Sequence, residues 1–429
     1  MSLRGFFLLS RKMALFLRTA TVLAASSFGP YILTRAENYT TFPSNGETML
    51  HYDLWMISWK TPGVFDTKFA QLRANFVDAG YPASLGIGIN HPPPGINTAC
   101  RYFNSFGQQA QQLQVGGGGG AANGVRTDGT GIAYPFCSQA WPQIEAYFAQ
   151  LAKELFVTHA VPAAALRVVR IGMDKTGEFN YPYSSIVGGA TTNNSWWGFK
   201  EGGEVYDDYP AACGSWKPGM PSKNGEAKAF VEWYYAKLAA FQDFMVGISL
   251  KYFPNALPAV LYPGSSPRVQ PVDVTAAINN LAAGHTRIGT MCKHGDCPDP
   301  IAGGWARGKL IPSLAKASPL ALAWHTGCEQ TQASGPVFAL AEAHGLHVGC
   351  ENSGGIFDKY EGKEYAAHVT DFFTWSHKHN ATVTFLITNS NASFYSNYTA
   401  FVACEQAELA GAEEGRGLDQ KCFDKYCVR

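Results

Sequence analysis

Apolar and polar positions along this chain switch between two periods. Short, nearly continuous apolar runs at 50–59, 83–90, 166–171, 257–262, 320–324, 346–349 and 382–388 predict strands. Between them the apolar residues fall at helical spacing. Phe65, Phe69, Leu72, Phe76 and Val77 predict a helix that Gly80 ends, and Ile144, Tyr147, Phe148, Leu151 and Leu155 predict another over 141–156. A long helix is expected over 226–253, stopped by Pro254, with shorter ones over 274–283, 305–314, 336–344, 365–379 and 395–409. Alternating strands and helices mean an α/β fold. Seven strands are clear. A (β/α)8 TIM barrel with long loops at its C-terminal face needs an eighth, so the first strand must lie in the N-terminal stretch or be irregular. The competing open, doubly wound sheet usually shows a glycine-rich phosphate turn after its first strand, and none is present.

Two strand ends stand out. Leu166, Val168, Val169 and Ile171 form a buried run that breaks at Gly172 and leaves Glu178 beyond its carboxyl end, followed by Phe179, Tyr181 and Pro182. The run from Leu346 delivers Glu351, followed by Asn352. Carboxylates at strand ends are where a barrel enzyme keeps an acid or a base. Two long excursions flank the first of them. The stretch 95–136 includes five consecutive glycines, Gly116 to Gly120, which exclude a helix and lack the Gly-Lys-Ser/Thr ending of a phosphate loop. It reads as a lid or as a disordered insertion. The second excursion, up to Pro221, mixes Trp196, Trp197, Phe199, Tyr206, Tyr209 and Trp216 with Glu201, Glu204, Asp207 and Asp208. Aromatic rings to stack and carboxylates to take hydroxyl protons suit a sugar subsite. The alternative is a small satellite core beneath the loop.

Composition narrows the partners. The chain has 429 residues, 46% of them hydrophobic and 15% charged, with a formal net charge of zero. A large core is therefore available, and a nucleic-acid partner is disfavoured. Residues 1–36 hold Arg4, Arg11 and Lys12 ahead of an apolar run, with small residues Ala24 to Ser27 as cleavage positions. They read as a signal peptide, or as a signal anchor that would make the chain a type II membrane protein if uncleaved. Five Asn-X-Ser/Thr sequons, at Asn38, Asn193, Asn380, Asn391 and Asn397, and 10 cysteines fit the secretory route. Cys100 with Cys137 would clamp a long loop. Cys292/Cys297 and Cys422/Cys427 could close small ones, and Cys292, His294 and Cys297 lack an evident fourth ligand for zinc. No cofactor and no metal are expected. The expected layout is a leader to 36, one barrel domain over 37–410, and a cysteine-containing tail over 411–429.

The order of these motifs resembles the β-amylases, glycoside hydrolase family fourteen, and more loosely the barrel β-galactosidases of family forty-two. Gly177-Glu178-Phe179-Asn180-Tyr181-Pro182 is similar to the β-amylase turn that carries the general acid, and Thr326-Gly327-Cys328-Glu329 to its inner loop after strand six. Gly349-Cys350-Glu351-Asn352 is similar to the Gly-Glu-Asn that carries the general base, with one inserted cysteine. Asp53-Leu54-Trp55 and the strand ending at His91 also match in order. The strand-five Lys/His motif is replaced by Leu261-Tyr262-Pro263-Gly264-Ser265, and the last-strand Arg is missing, so the α-1,4-glucan substrate does not carry over.

The resemblance implies hydrolysis of a glycosidic bond by two carboxyl groups, with inversion. Glu178 would be the acid, its aromatic neighbours Phe179 and Tyr181 raising its pKa by desolvation, and Glu351 the base. A retaining, family-forty-two-like mechanism would make Glu351 the nucleophile. Candidate sugar-binding residues are Asp53, Trp55, His91, Tyr181, Trp196, Trp197, Tyr262, Thr326, Glu329 and Asn352, with Glu329 also a rival for the second catalytic role. Two other classes stay open: a sugar-binding barrel without turnover, and a thiol hydrolase using Cys328 with His325 or His347.

Overall fold

The computed structural model describes residues 31–35, 48–53, 64–74, 80–89, 100–112, 133–173, 178–181, 184–186, 196–223, 225–262, 274–284, 307–328, 331–351, 376, 379 and 381–385. The calls on Trp55, His91, the glycine run, Cys292/Cys297, Glu329, Asn352, Cys422/Cys427, and the two helices expected beyond Gly355 lie outside these residues, apart from isolated positions. So do all the sequons.

The chain is an α/β fold built on a curled parallel sheet with helices packed against it. Its parallel strands are β1 (Tyr31–Arg35), β2 (Thr48–Asp53), β3 (Ala83–Gly88), β4 (Leu166–Gly172), β5 (Leu257–Tyr262), β6 (Leu322–Thr326), β7 (His347–Glu351) and β8 (Val383–Phe385). From β3 to β8 each strand pairs in parallel with the next. β2 pairs with β3, and β1 pairs with β2 on one side and with β8 on the other. β1 (Tyr31–Arg35) lies inside the stretch 1–36 that was read as a leader, so these five residues are part of the sheet.

The continuous apolar runs follow from burial on both faces. Val168, Ala259, Leu261, Leu322, Trp324, Val383 and Phe385 form a small separate cluster on the concave face. The alternate positions Val169, Ile171, Val260, Tyr262, Ala323, Val348 and Cys350 join the large core shared with the helices. Gly349 keeps the inner face open for a large neighbour: a Cβ there would collide with the Leu322 side chain and lie 3.0 Å from Trp324 ring atoms.

The helices are α1 (Val64–Arg73), α2 (Trp141–Lys153), α3 (Glu226–Tyr252), α4 (Val274–Ala282), α5 (Arg307–Ala317) and α6 (Thr331–Ala343). α3 and β5 fall where the periodicity puts them. α6 starts at Thr331 rather than at Pro336, which leaves the proline one turn inside the helix. The two long excursions are less irregular than expected. Phe103–Asn104 pairs antiparallel with Trp197–Phe199, and Ala110–Gln112 with Ser184–Ile186, so the two excursions are stitched to each other. Strands of two or three residues show no period that a sequence reading can detect.

His347 opens β7, and its Nδ1 lies 3.1 Å from Thr382 Oγ1. Burial pushes its imidazole pKa below the ordinary value of 6.5. The unfolded chain therefore binds the proton more readily than the folded one. The stability that the neutral ring contributes is present above pH 6.5 and is lost as pH falls towards the lower folded value. Melting curves at about pH 7.5 and about pH 5.5 are expected to show a smaller acid loss for His347→Gln than for the native chain. An equal loss in both would mean that this ring is not the acid-sensitive group.

Candidate functional site

The exits of β4, β6 and β7 carry the candidate chemistry. Glu178 follows β4 in sequence, beyond residues 174–177. It is half-buried, and its backbone carbonyl accepts the Met173 N–H at 3.2 Å. The next residue docks the turn on the neighbouring strand, since the Phe179 N–H donates to the Leu261 carbonyl at 2.6 Å. The Phe179 ring stacks on Phe241 of α3 at 5.8 Å. The Tyr181 hydroxyl donates to the Tyr234 carbonyl at 2.6 Å, with the two rings 4.1 Å apart. Burial, reinforced by Tyr234, Tyr102 and Tyr235, holds this hydroxyl well above the usual tyrosine pKa, so it is a neutral donor. Both rings were expected to shield Glu178. They are spent on α3 instead and act as anchors that fix the turn.

Glu351 closes β7 and is 4% exposed. One of its carboxylate oxygens pairs with the guanidinium of Arg170, which rises from β4 and is 2% exposed. Arg170 lies 4.8 Å from the Trp324 ring centroid and 5.4 Å from that of Phe385. Sequence reasoning missed Arg170. The available signal was its phase: of the two arginines in β4, Arg167 and Arg170, the second falls in phase with inward-facing Val168, and a buried arginine requires a partner. An adjacent guanidinium favours the ionised carboxylate, the form that a base or nucleophile needs.

The backbone around Glu351 is clamped as well. Its carbonyl accepts two N–H groups, from Gly327 at 2.6 Å and Cys328 at 3.1 Å. Cys328 and Cys350 stand at disulfide distance, with Cα atoms 5.6 Å apart, and this accounts for the cysteine that interrupts the Gly-Glu-Asn motif. A disulfide-bonded Cys328 has no thiolate, so the thiol-hydrolase reading is withdrawn. His325 faces the helix layer, 6.1 Å from Phe338, and His347 stands at the opposite end of β7 from Glu351. Cys100 and Cys137 also pair, as the sequence suggests. Both bridges are compatible with an oxidising, secreted or lumenal setting. Among the described residues no helix is long and apolar enough to cross a membrane. Replacing both Cys328 and Cys350 by serine is expected to lower unfolding stability by roughly 3 kcal/mol, measured by urea denaturation. A non-reducing peptide map without the Cys328–Cys350 link would remove that expectation.

The other candidates separate into two groups. Thr326 ends β6 in register with Glu351, and its hydroxyl oxygen is buried with no hydrogen-bond partner among the described residues. Asp53 is in register with Gly86, which is in turn in register with Arg170. Tyr262 is a correction: it is fully buried, and its hydroxyl donates to Gln242 Oε1 of α3 at 2.7 Å, so it faces away from the concave side. Trp196 and Trp197 are also corrections, being 2% and 0% exposed. Trp196 packs edge-on against Phe230 and Tyr234, so the aromatic excursion forms the satellite core and leaves neither ring face for a sugar.

Among the described residues, Asp66, Glu154 and His159 form one group with ligand atoms within 4.8 Å of one another. Asp66 is on α1, Glu154 on the π-helical turn that continues α2 and His159 at its cap, where His159 Nε2 is already 3.3 Å from Asp66 Oδ1. The chain matches no protein-family model and no curated protein sequence.

Proposed function

We propose that the chain is a glycoside hydrolase of the secretory pathway, a complete (β/α)8 barrel in which Glu178 is the general acid and Glu351 the base or nucleophile. The pairing of β1 with both β2 and β8 supports the closed architecture. The observation that carries the functional reading is the Arg170–Glu351 pair. Arg170 stands on the strand whose exit bears Glu178, so the pair draws the β7 carboxylate to that same strand. Two acidic groups far apart in sequence thereby share one end of one sheet, with one of them charge-stabilised. That division of labour is what glycosidic cleavage requires: one carboxyl protonates the leaving oxygen while an ionised one activates water or attacks. The substrate is a carbohydrate, and neither a cofactor nor a metal takes part. Inversion, implied by the β-amylase resemblance, corresponds to carboxyls about 6.5–9.5 Å apart, and retention to about 5 Å.

The test is release of reducing sugar from a panel of p-nitrophenyl glycosides and oligosaccharides, with the product anomer followed by proton NMR. Inert behaviour across the panel, with binding intact, would favour the second reading, a sugar-binding barrel without turnover. That reading draws its support from the deep burial of Glu351.

A further inference from the structure

The turn that carries Glu178 holds another polar side chain whose hydrogen-bonding capacity is unspent. Asn180 is completely buried, and among the described residues neither its Oδ1 nor its Nδ2 has a hydrogen-bond partner. Its neighbours are both committed to α3, Phe179 through its ring and Tyr181 through its hydroxyl. The amide is therefore held in place by residues that leave it nothing to bond. Buried polar groups in native proteins nearly always have partners, and each exception calls for an explanation. Packing alone would be better served by leucine, which has nearly the same shape and no desolvation cost. Thr326, whose hydroxyl is also unpartnered, ends β6 in register with Glu351 at the same end of the sheet.

Building on the glycosidase reading, we propose that Asn180 is a substrate-binding residue that clamps two neighbouring hydroxyls of the sugar whose linkage Glu178 protonates. A carboxamide presents one donor beside one acceptor. A vicinal diol presents the complement: one oxygen accepts from Nδ2–H while the adjacent hydroxyl donates to Oδ1. An apolar or singly hydroxylated ligand would leave one end of the amide unsatisfied. Asn180 thus selects for a sugar with two adjacent free hydroxyls at the cleaved residue.

The test is Asn180→Leu, assayed on the p-nitrophenyl glycoside that the native chain cleaves fastest and on deoxy analogues of it that each lack one ring hydroxyl. Native chain is expected to discriminate against one or two of these analogues by about 10⁴-fold in kcat/KM. Asn180→Leu is expected to lose about 10²–10⁴-fold on the parent glycoside, to lose that discrimination, and to melt no lower than native. A purely structural amide would give the opposite pattern, a lower melting temperature with discrimination intact, and that result overturns the proposal. Should leucine prove too bulky to fold, Asn180→Ala reads the same loss of discrimination. Loss of oligosaccharide hydrolysis in Glu178→Gln with discrimination preserved in the Asn180 variants sinks the clamp alone. Oligosaccharide hydrolysis preserved in Glu178→Gln removes Glu178 as the acid and the clamp together.

Discussion

Glu178→Gln is expected to cut hydrolysis of natural oligosaccharides by about 10²–10⁴-fold, the usual contribution of a positioned acid. The amide keeps the shape of the side chain and cannot give up a proton to the departing oxygen. The size of the loss should depend on the leaving group. A p-nitrophenolate departs with little protonation, so aryl glycosides should lose far less than sugar–sugar linkages. Glu351→Gln should lose activity on both classes alike, since water or the enzyme must still attack the anomeric carbon. The measurement is kcat/KM for both variants on one aryl glycoside and one oligosaccharide. Equal losses on both substrates in Glu178→Gln would deny it the acid's role.

Arg170→Met is expected to cost about 3–5 kcal/mol of stability, because it strands the Glu351 carboxylate in a site that excludes water. Arg170 is 2% exposed and Glu351 4%, so solvent can do little to replace the lost partner. Combining it with Glu351→Leu should restore the stability, as read by urea denaturation of the native chain, both single variants and the double. Paired charges replaced together by apolar groups are commonly neutral or stabilising. A recovered double variant with no turnover would show that the pair is retained for chemistry. A double variant as unstable as Arg170→Met alone would instead assign Arg170 to packing against Trp324 and Phe385.

Much of the scaffold was legible because strands buried on two faces write long apolar runs, and α3 and β5 begin and end at sharp signals such as Pro254 and Pro263. The first strand was hidden for a physical reason. An apolar leader and a buried strand have the same composition, so Tyr31–Arg35 was absorbed into the leader. Glu178 and Glu351 were visible because a carboxylate breaks an apolar run. Trp196 and Trp197 were misassigned because aromatics in an excursion look alike whether they face a ligand or each other, and Tyr262 because the last residue of a doubly buried strand can face either side; only packing decides. Arg170 showed only as a basic residue in an apolar strand, and Asn180 could not be ranked from sequence at all. What makes them notable is what surrounds them: two aromatic rings and a buried carboxylate for one, and no hydrogen-bond partner among the described residues for the other.

The antiparallel stitching between residues 103–112 and 184–199 constrains how this protein could be re-engineered. Among the described residues, the named strands of each excursion pair with those of the other. Grafting only one of them onto a related scaffold would strip the transplanted piece of its template. Any exchange meant to alter selectivity must move both together, and random insertion libraries should tolerate changes poorly at Phe103, Asn104 and Trp197 to Phe199.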